Sequence, residues 1–235
     1  MCGRYGISVT KKELNEYLNE HYHIEVLDEN ITLPRYNIGP GQEVISLIND
    51  GTKYRVGLLK WGLVPSWSKD ERIGSKMINA REETLSQKPS FKKSFVQRRC
   101  IIIADGFFEW YRTTSTKTPY YFYLKNNKIF GFAGLWTSYE REDGSKLHTC
   151  TIVTTKANSL MQDIHDRMPV ILTEESAKIW LDPNIRDLNA LQSLLTQYDS
   201  EEKQLHQVST RVNKVENDDS EIIKPFVSAK TNENS

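Results

Sequence analysis

The chain has 235 residues, 38% apolar and 26% charged, enough for one substantial domain and short for two. Lysine plus arginine equals aspartate plus glutamate at 31 each, so net charge selects neither a nucleic acid nor a membrane as partner. The three cysteines form no C-x-x-C pair and no zinc-like spacing, and no apolar run approaches the length of a membrane span.

No apolar leader follows Met1, so free thiols and a reducing compartment are expected: the cytoplasm, or the nucleus if the source is eukaryotic. No cofactor and no metal site is expected.

In chain order, residues 10–20 read as an amphipathic helix. Thr10 and Glu13 form its capping box, and Leu14, Tyr17 and Leu18 its buried stripe. Strands are expected at 44–48 and 54–61. Residues 79–96 read as a helix interrupted at Pro89, with Asn79 as N-cap and Glu82 at the capping-box position. Apolar runs at 100–104, 120–124, 129–136 and 147–154 read as strands, with Asn126-Asn127 as a hairpin turn. Helices are expected at 173–181 and 187–198, separated by Asp182-Pro183, and a strand pair near 207–212 and 222–227. The polar residues 229–235 read as a disordered tail after a domain of residues 1–228. Many short strands with few helices imply an α+β fold: one compact β-rich domain with peripheral helices, expected to be a monomer.

Charge is unevenly distributed. Residues 51–100 carry twelve basic and four acidic side chains, a local net of +8 that the rest of the chain cancels. Such a stripe on a neutral protein fits a confined polyanion site. A solvated lysine-rich surface fits it as well. Trp61 and Trp67 lie inside the stripe, and aromatics among cations are how single strands are stacked and held.

Four segments could carry chemistry. Removing Met1 would leave Cys2 with an α-amine and a thiol on adjacent carbons. An α-amine has a pKa near ~7.8 against ~10.4 for lysine, so about 400-fold more of it is neutral at pH 7. It condenses with an aldehyde to an imine, on which the thiol closes a five-membered thiazolidine at high effective molarity. A chance cysteine after the start methionine is the simpler reading of this residue alone. Glu109 lies between Phe108 and Trp110 on a strand-like stretch, where an aromatic setting raises a carboxyl pKa and suits it to general acid work. A glutamate on the solvent face of a half-buried strand fits that segment equally. His165 and Arg167 share one side of an extended segment before Pro169 and could grip an oxyanion, though a lone histidine is more often structural. Asn79, read as a helix cap, lies near Arg81, and such a helix start suits a phosphate.

Together these segments resemble the SRAP family, named for SOS response-associated peptidase. The resemblance rests on Cys2-Gly3-Arg4, N-I-G-P (37–40), W-G-L-V-P-S-W (61–67), N-A-R-E-E-T (79–84) and R-R-C-I-I-I-A-D-G-F-F-E-W (98–110). It continues through A-G-L-W (133–136), T-T-K-A-N (154–158), I-H-D-R-M-P (164–169) and V-S-T-R-V-N (208–213). It departs at Ile103, where the family usually has proline, which should alter the strand slightly. The resemblance implies a compact β-rich fold and a thiazolidine crosslink between the residue-2 aminothiol and a ring-opened abasic deoxyribose in single-stranded DNA. It implies Cys2 as nucleophile with Asn79, Glu109 and His165 lining the active site. Arg4, Arg81 and Arg167 are implied to face phosphates, with Pro40, Trp67 and Thr154 as contacts in a DNA cleft. Self-cleavage exposing Cys2 is the implied peptidase activity. Two rivals remain behind it: a thiol hydrolase using Cys2 with His165, and a non-covalent single-strand binding module.

Overall fold

The structure, a computed structural model, describes residues 2–25, 27–125 and 129–227. The Asn126-Asn127 turn and the 229–235 tail lie outside the described residues. The chain begins with β1 (Tyr5–Ile7), α1 (Lys11–Tyr22), β2 (Arg35–Ile38), β3 (Glu43–Asn49), β4 (Tyr54–Trp61) and β5 (Asn79–Arg81). It continues with α2 (Pro89–Gln97), β6 (Arg99–Ala104), β7 (Gly106–Arg112), β8 (Lys117–Leu124), β9 (Phe130–Glu140) and β10 (Lys146–Lys156). The last elements are β11 (Arg167–Pro169), β12 (Ile171–Leu172), α3 (Glu174–Leu181), α4 (Leu188–Ser193) and β13 (Lys203–Gln207).

The strands form two sheets, in keeping with a β-rich α+β fold. One is antiparallel throughout, in the order β13-β8-β7-β1-β2. In the other, β9 pairs with both β6 and β10, closing a ring through β10, β4, β3, β6 and β9. Closure removes the free edges that an open sheet would expose. Ile101, Ile102, Phe132, Leu135, Ile152 and Trp61 are all buried in the core this ring supports, together with Cys100 and Cys150. Ile103, the departure from the family pattern, sits in unbroken β6 opposite Gly131.

Helix α1 carries the expected capping box, with Thr10 and Glu13 exchanging side-chain and backbone bonds. Other expectations are corrected. Residues 79–96 are not one helix. Asn79–Arg81 joins β10 as a parallel strand, so its backbone is satisfied by the ladder and Asn79 caps nothing. Pro89 starts α2 rather than interrupting it, since the first helical turn does not need its missing N–H. The second of the paired helices is short, ending at Ser193. The expected strand pair near 207–212 and 222–227 does not form among the described residues: β13 ends at Gln207, a single bond from the Phe226 N–H to the Gln207 carbonyl joins the two segments, and Ser209 and Asp219 cap short 3-10 turns. Local side-chain caps outcompete strand pairing there, and buried Val212 and Ile222 anchor the turns instead.

Candidate functional site

Antiparallel pairing of β1 with β7 brings the Cys2–Arg4 segment alongside Glu109. Tyr5 is opposite Phe107, and the Phe108 N–H donates to the Arg4 carbonyl at 2.9 Å. Asp105 locks the corner, its carboxylate accepting from the Ser8 N–H, the Ser8 hydroxyl at 2.7 Å and the Val9 N–H at 3.0 Å. Gly106 is required at the start of β7, because a Cβ there would fall 2.0 Å from the Tyr121 hydroxyl.

Cys2 is fully buried, and burial together with the Glu109 charge pushes its thiol far up. Its carbonyl accepts the side-chain N–H of Asn79 at 2.8 Å. The Asn79 Oδ1 is buried with no hydrogen-bond partner among the described residues, an acceptor open to an incoming donor. Glu109 is 2% exposed; burial raises its carboxyl to about 7, against the lowering effect of a hydrogen bond from the Trp110 backbone N–H and, more weakly, of the Arg112 charge. His165 sits in the turn before β11, not in an extended segment. Its Nδ1 accepts the Arg167 backbone N–H at 3.0 Å, which leaves the proton on Nε2. The Asp166 carboxylate, 2.9 Å from the same nitrogen, favours the charged ring, but burial prevails and holds the pKa below its usual value.

Glu109 and His165 line one pocket of about 330 Å³ with Gly3 and Arg4. Among the other residues of its wall, the sequence reading gave no role to Arg112, Lys117, Asp163 and Asn213. A usable signal was present, since Thr113–Thr116 is a polar turn that folds Arg112 back onto Lys117. A second cavity, of about 320 Å³ between α1 and α3, shares no residue with this one and carries none of these groups.

A family model described as SOS response associated peptidase (SRAP) matches residues 1–215. The chain belongs to the SRAP family. It is 49% identical over 224 residues to abasic site processing protein YoqW of Bacillus subtilis, covering 95% of this chain and 99% of that one. Abasic site processing protein YedK of Escherichia coli is 30% identical over 227 residues, covering 96% and 100%. A crystal structure of a protein from Bacteroides thetaiotaomicron superposes with TM-score 0.83 at 28% identity, covering 96% of this chain and all of that one. The β-rich architecture is thus that of SRAP proteins.

The remaining SRAP motif residues divide by exposure. Arg4 donates to the Asn37 side chain and to the Val212 carbonyl, both at 2.8 Å, while its buried Nε has no hydrogen-bond partner among the described residues. Gly39 lies against the Arg4 guanidinium, so exposed Pro40 follows directly beside it. Arg81 is exposed on β5 opposite buried Thr154. Trp67 is 59% exposed on the loop after β4, with no ring contact among the described residues. Arg167 is turned inward: both its terminal nitrogens pair with Glu83, and Nη2 also donates to the Thr154 carbonyl at 2.6 Å. Facing a phosphate would require that pair to open. The basic stripe is likewise thinner than its count, because Arg55 pairs with Asp50, Arg72 with Asp70, and Arg99 is buried.

Proposed function

We propose that this protein captures abasic sites in single-stranded DNA covalently, through Cys2 once Met1 has been removed. The names of its relatives support the substrate. The observation that carries the chemistry is a buried carboxyl with a pKa of about 7, Glu109, set against the Cys2 segment that Asn79 holds by its carbonyl.

The sequence of steps takes up one water at the Met1–Cys2 bond and releases one at the imine. Water first cleaves the Met1–Cys2 amide and methionine leaves; the same groups perform this step as self-cleavage. The abasic sugar opens from hemiacetal to aldehyde, its ring oxygen gaining a proton while the anomeric hydroxyl loses one. The free Cys2 amine adds to the aldehyde carbon, and water departs to leave the imine. The thiol sulfur then bonds to the imine carbon while its proton passes to nitrogen, closing the thiazolidine. A carboxyl near 7 populates both forms at neutral pH, so Glu109 can donate and accept within one cycle. The open Oδ1 of Asn79 suits the amine N–H, and the Nε2 of His165 shares the proton traffic. Lesions in single strands are favoured because stacking hides the sugar carbon within a duplex.

A thiol hydrolase is the weaker reading. It needs a thiolate, and burial and Glu109 both push the Cys2 thiol away from that state.

The test is a denaturing gel and intact mass of the protein with an abasic oligonucleotide. Wild type should give a heat-stable adduct without reductant and a mass one methionine below the full chain. Cys2→Ala should give at most an imine that borohydride traps. A stable adduct from Cys2→Ala, or from a protein with an uncleavable N-terminal extension, overturns the mechanism. A complex that vanishes in SDS leaves only the binding module.

A further inference from the structure

The β7–β8 hairpin places two cations directly opposite each other: Arg112 is the cross-strand neighbour of Lys117. Like charges in that register are unfavourable, so the arrangement calls for an explanation. Neither side chain forms an ion pair among the described residues, and both line the pocket that holds Glu109 and His165.

Trp110 organises them. Its indole N–H donates to Asn213 at 2.8 Å, which fixes the ring. The Lys117 ammonium lies 4.7 Å from the ring centroid and the Arg4 guanidinium 6.0 Å, so one aromatic platform gathers two of the three cations. The pocket's acids are Asp163, exposed, and Glu109, which burial keeps partly protonated near neutrality. Burial, then Arg112 and Arg4, lowers the Lys117 pKa, so the cations feel one another. A polyanion entering here would relieve that repulsion.

We infer that the β7–β8 hairpin is a phosphate-binding wall of the lesion pocket, on which Arg112 and Lys117 jointly hold a backbone phosphate of the DNA strand beside the captured sugar. The inference rests on the abasic-site reading and deepens it. It assigns the hairpin a role separate from Arg81 on β5, and makes Trp110 a positioning residue for Lys117 rather than a base-stacking one.

The experiment measures binding to a single-stranded oligonucleotide carrying a tetrahydrofuran abasic analogue, which has no aldehyde and cannot be crosslinked. Wild type, Arg112→Gln, Lys117→Gln and the double variant are titrated from low to physiological salt. Each single variant should bind roughly three- to tenfold more weakly, and the salt slope should fall by about 0.7 per lost contact. Lys12→Gln, which removes an exposed cation paired with Glu16 on α1, controls for overall charge and should leave the slope unchanged. Slopes and affinities equal to wild type in all three hairpin variants overturn the wall while leaving the abasic-site reading intact. An equal loss in Lys12→Gln also overturns it, by reducing the effect to net charge. A wild type that fails to bind the analogue, and fails to crosslink a true abasic site, defeats both readings.

Discussion

Asn79 donates its side-chain N–H to the carbonyl of Cys2 at 2.8 Å, a bond between a strand of the closed ring's sheet and the segment leading into β1 of the other sheet. It positions the α-carbon that carries both amine and thiol. Asn79→Ala should therefore slow crosslinking by about 10–100-fold, because effective molarity depends on that placement. The cost in stability should be only about 1 kcal/mol, one hydrogen bond. Crosslinking time courses read beside melting curves separate the two effects; proportionate losses would reduce the bond to a structural one.

Glu109 should give wild-type crosslinking an inflection near pH 7, and Glu109→Gln should lower the rate by ~10²–10⁴-fold with DNA affinity retained. The stability effect has the opposite sign. The folded pKa is raised from 4.5 to about 7, so the carboxyl's contribution is fully present below 4.5 and is lost as pH rises through 7. Glu109→Gln should consequently melt higher than wild type at pH 8 and equally at pH 4. A flat rate profile from pH 5 to 9 would leave Glu109 no role as acid or base.

Lys203 is 3% exposed, with its ammonium 3.8 Å from the Met168 sulfur and 5.3 Å from the Tyr198 ring centre. Burial lowers its pKa from 10.5 to about 7. Here the folded state has released a proton that the unfolded chain still binds, so stability rises between pH 7 and 10.5. Lys203→Met should stabilise by about 1–3 kcal/mol near pH 6 and by progressively less towards pH 10. Thermal unfolding at several pH values checks it.

Arg99 and Arg81 lie in the same basic stretch and should behave oppositely. Arg99 donates to the carbonyls of Phe95, Val96, Trp180, Asp182 and Ile185, joining α2 to α3 and the chain beyond it. Arg99→Ala strands buried acceptors and should cost roughly 3–5 kcal/mol, while the folded fraction binds DNA normally. Arg81→Ala should leave the melting temperature within about two degrees, since ordinary surface changes stay within ±0.5 kcal/mol. It should flatten the salt dependence of single-strand binding by about one contact. Denaturant melts and salt titrations of both variants decide.

Local chemistry made α1 readable from residues alone, since Thr10, Glu13 and a buried stripe at helical spacing act within one or two turns of chain. The apolar runs that became β6, β8, β9 and β10 were equally plain, because alternation and β-branching are properties of each strand. The family resemblance implied Cys2, Asn79, Glu109 and His165 as one site; the structure bonds Asn79 to Cys2 and puts Glu109 and His165 on one pocket. Their secondary structure was less legible. Asn79 looks like a helix cap because Asn and Glu three residues apart do cap helices. It is a strand residue because β10 offers its backbone a ladder from 73 residues away, between Asn79 and Ile152.

Which cations are free was not in the sequence at all. Arg99, Arg167 and Arg81 are the same residue type, yet five carbonyls absorb the first, Glu83 closes on the second, and only the third stands in solvent. The pKa of Glu109 was decided the same way. Aromatic neighbours along the chain suggest a raised value. The rise to about 7 comes from β1, β8 and the 163–165 turn enclosing the carboxyl and removing its water, a desolvation that only three-dimensional packing can supply.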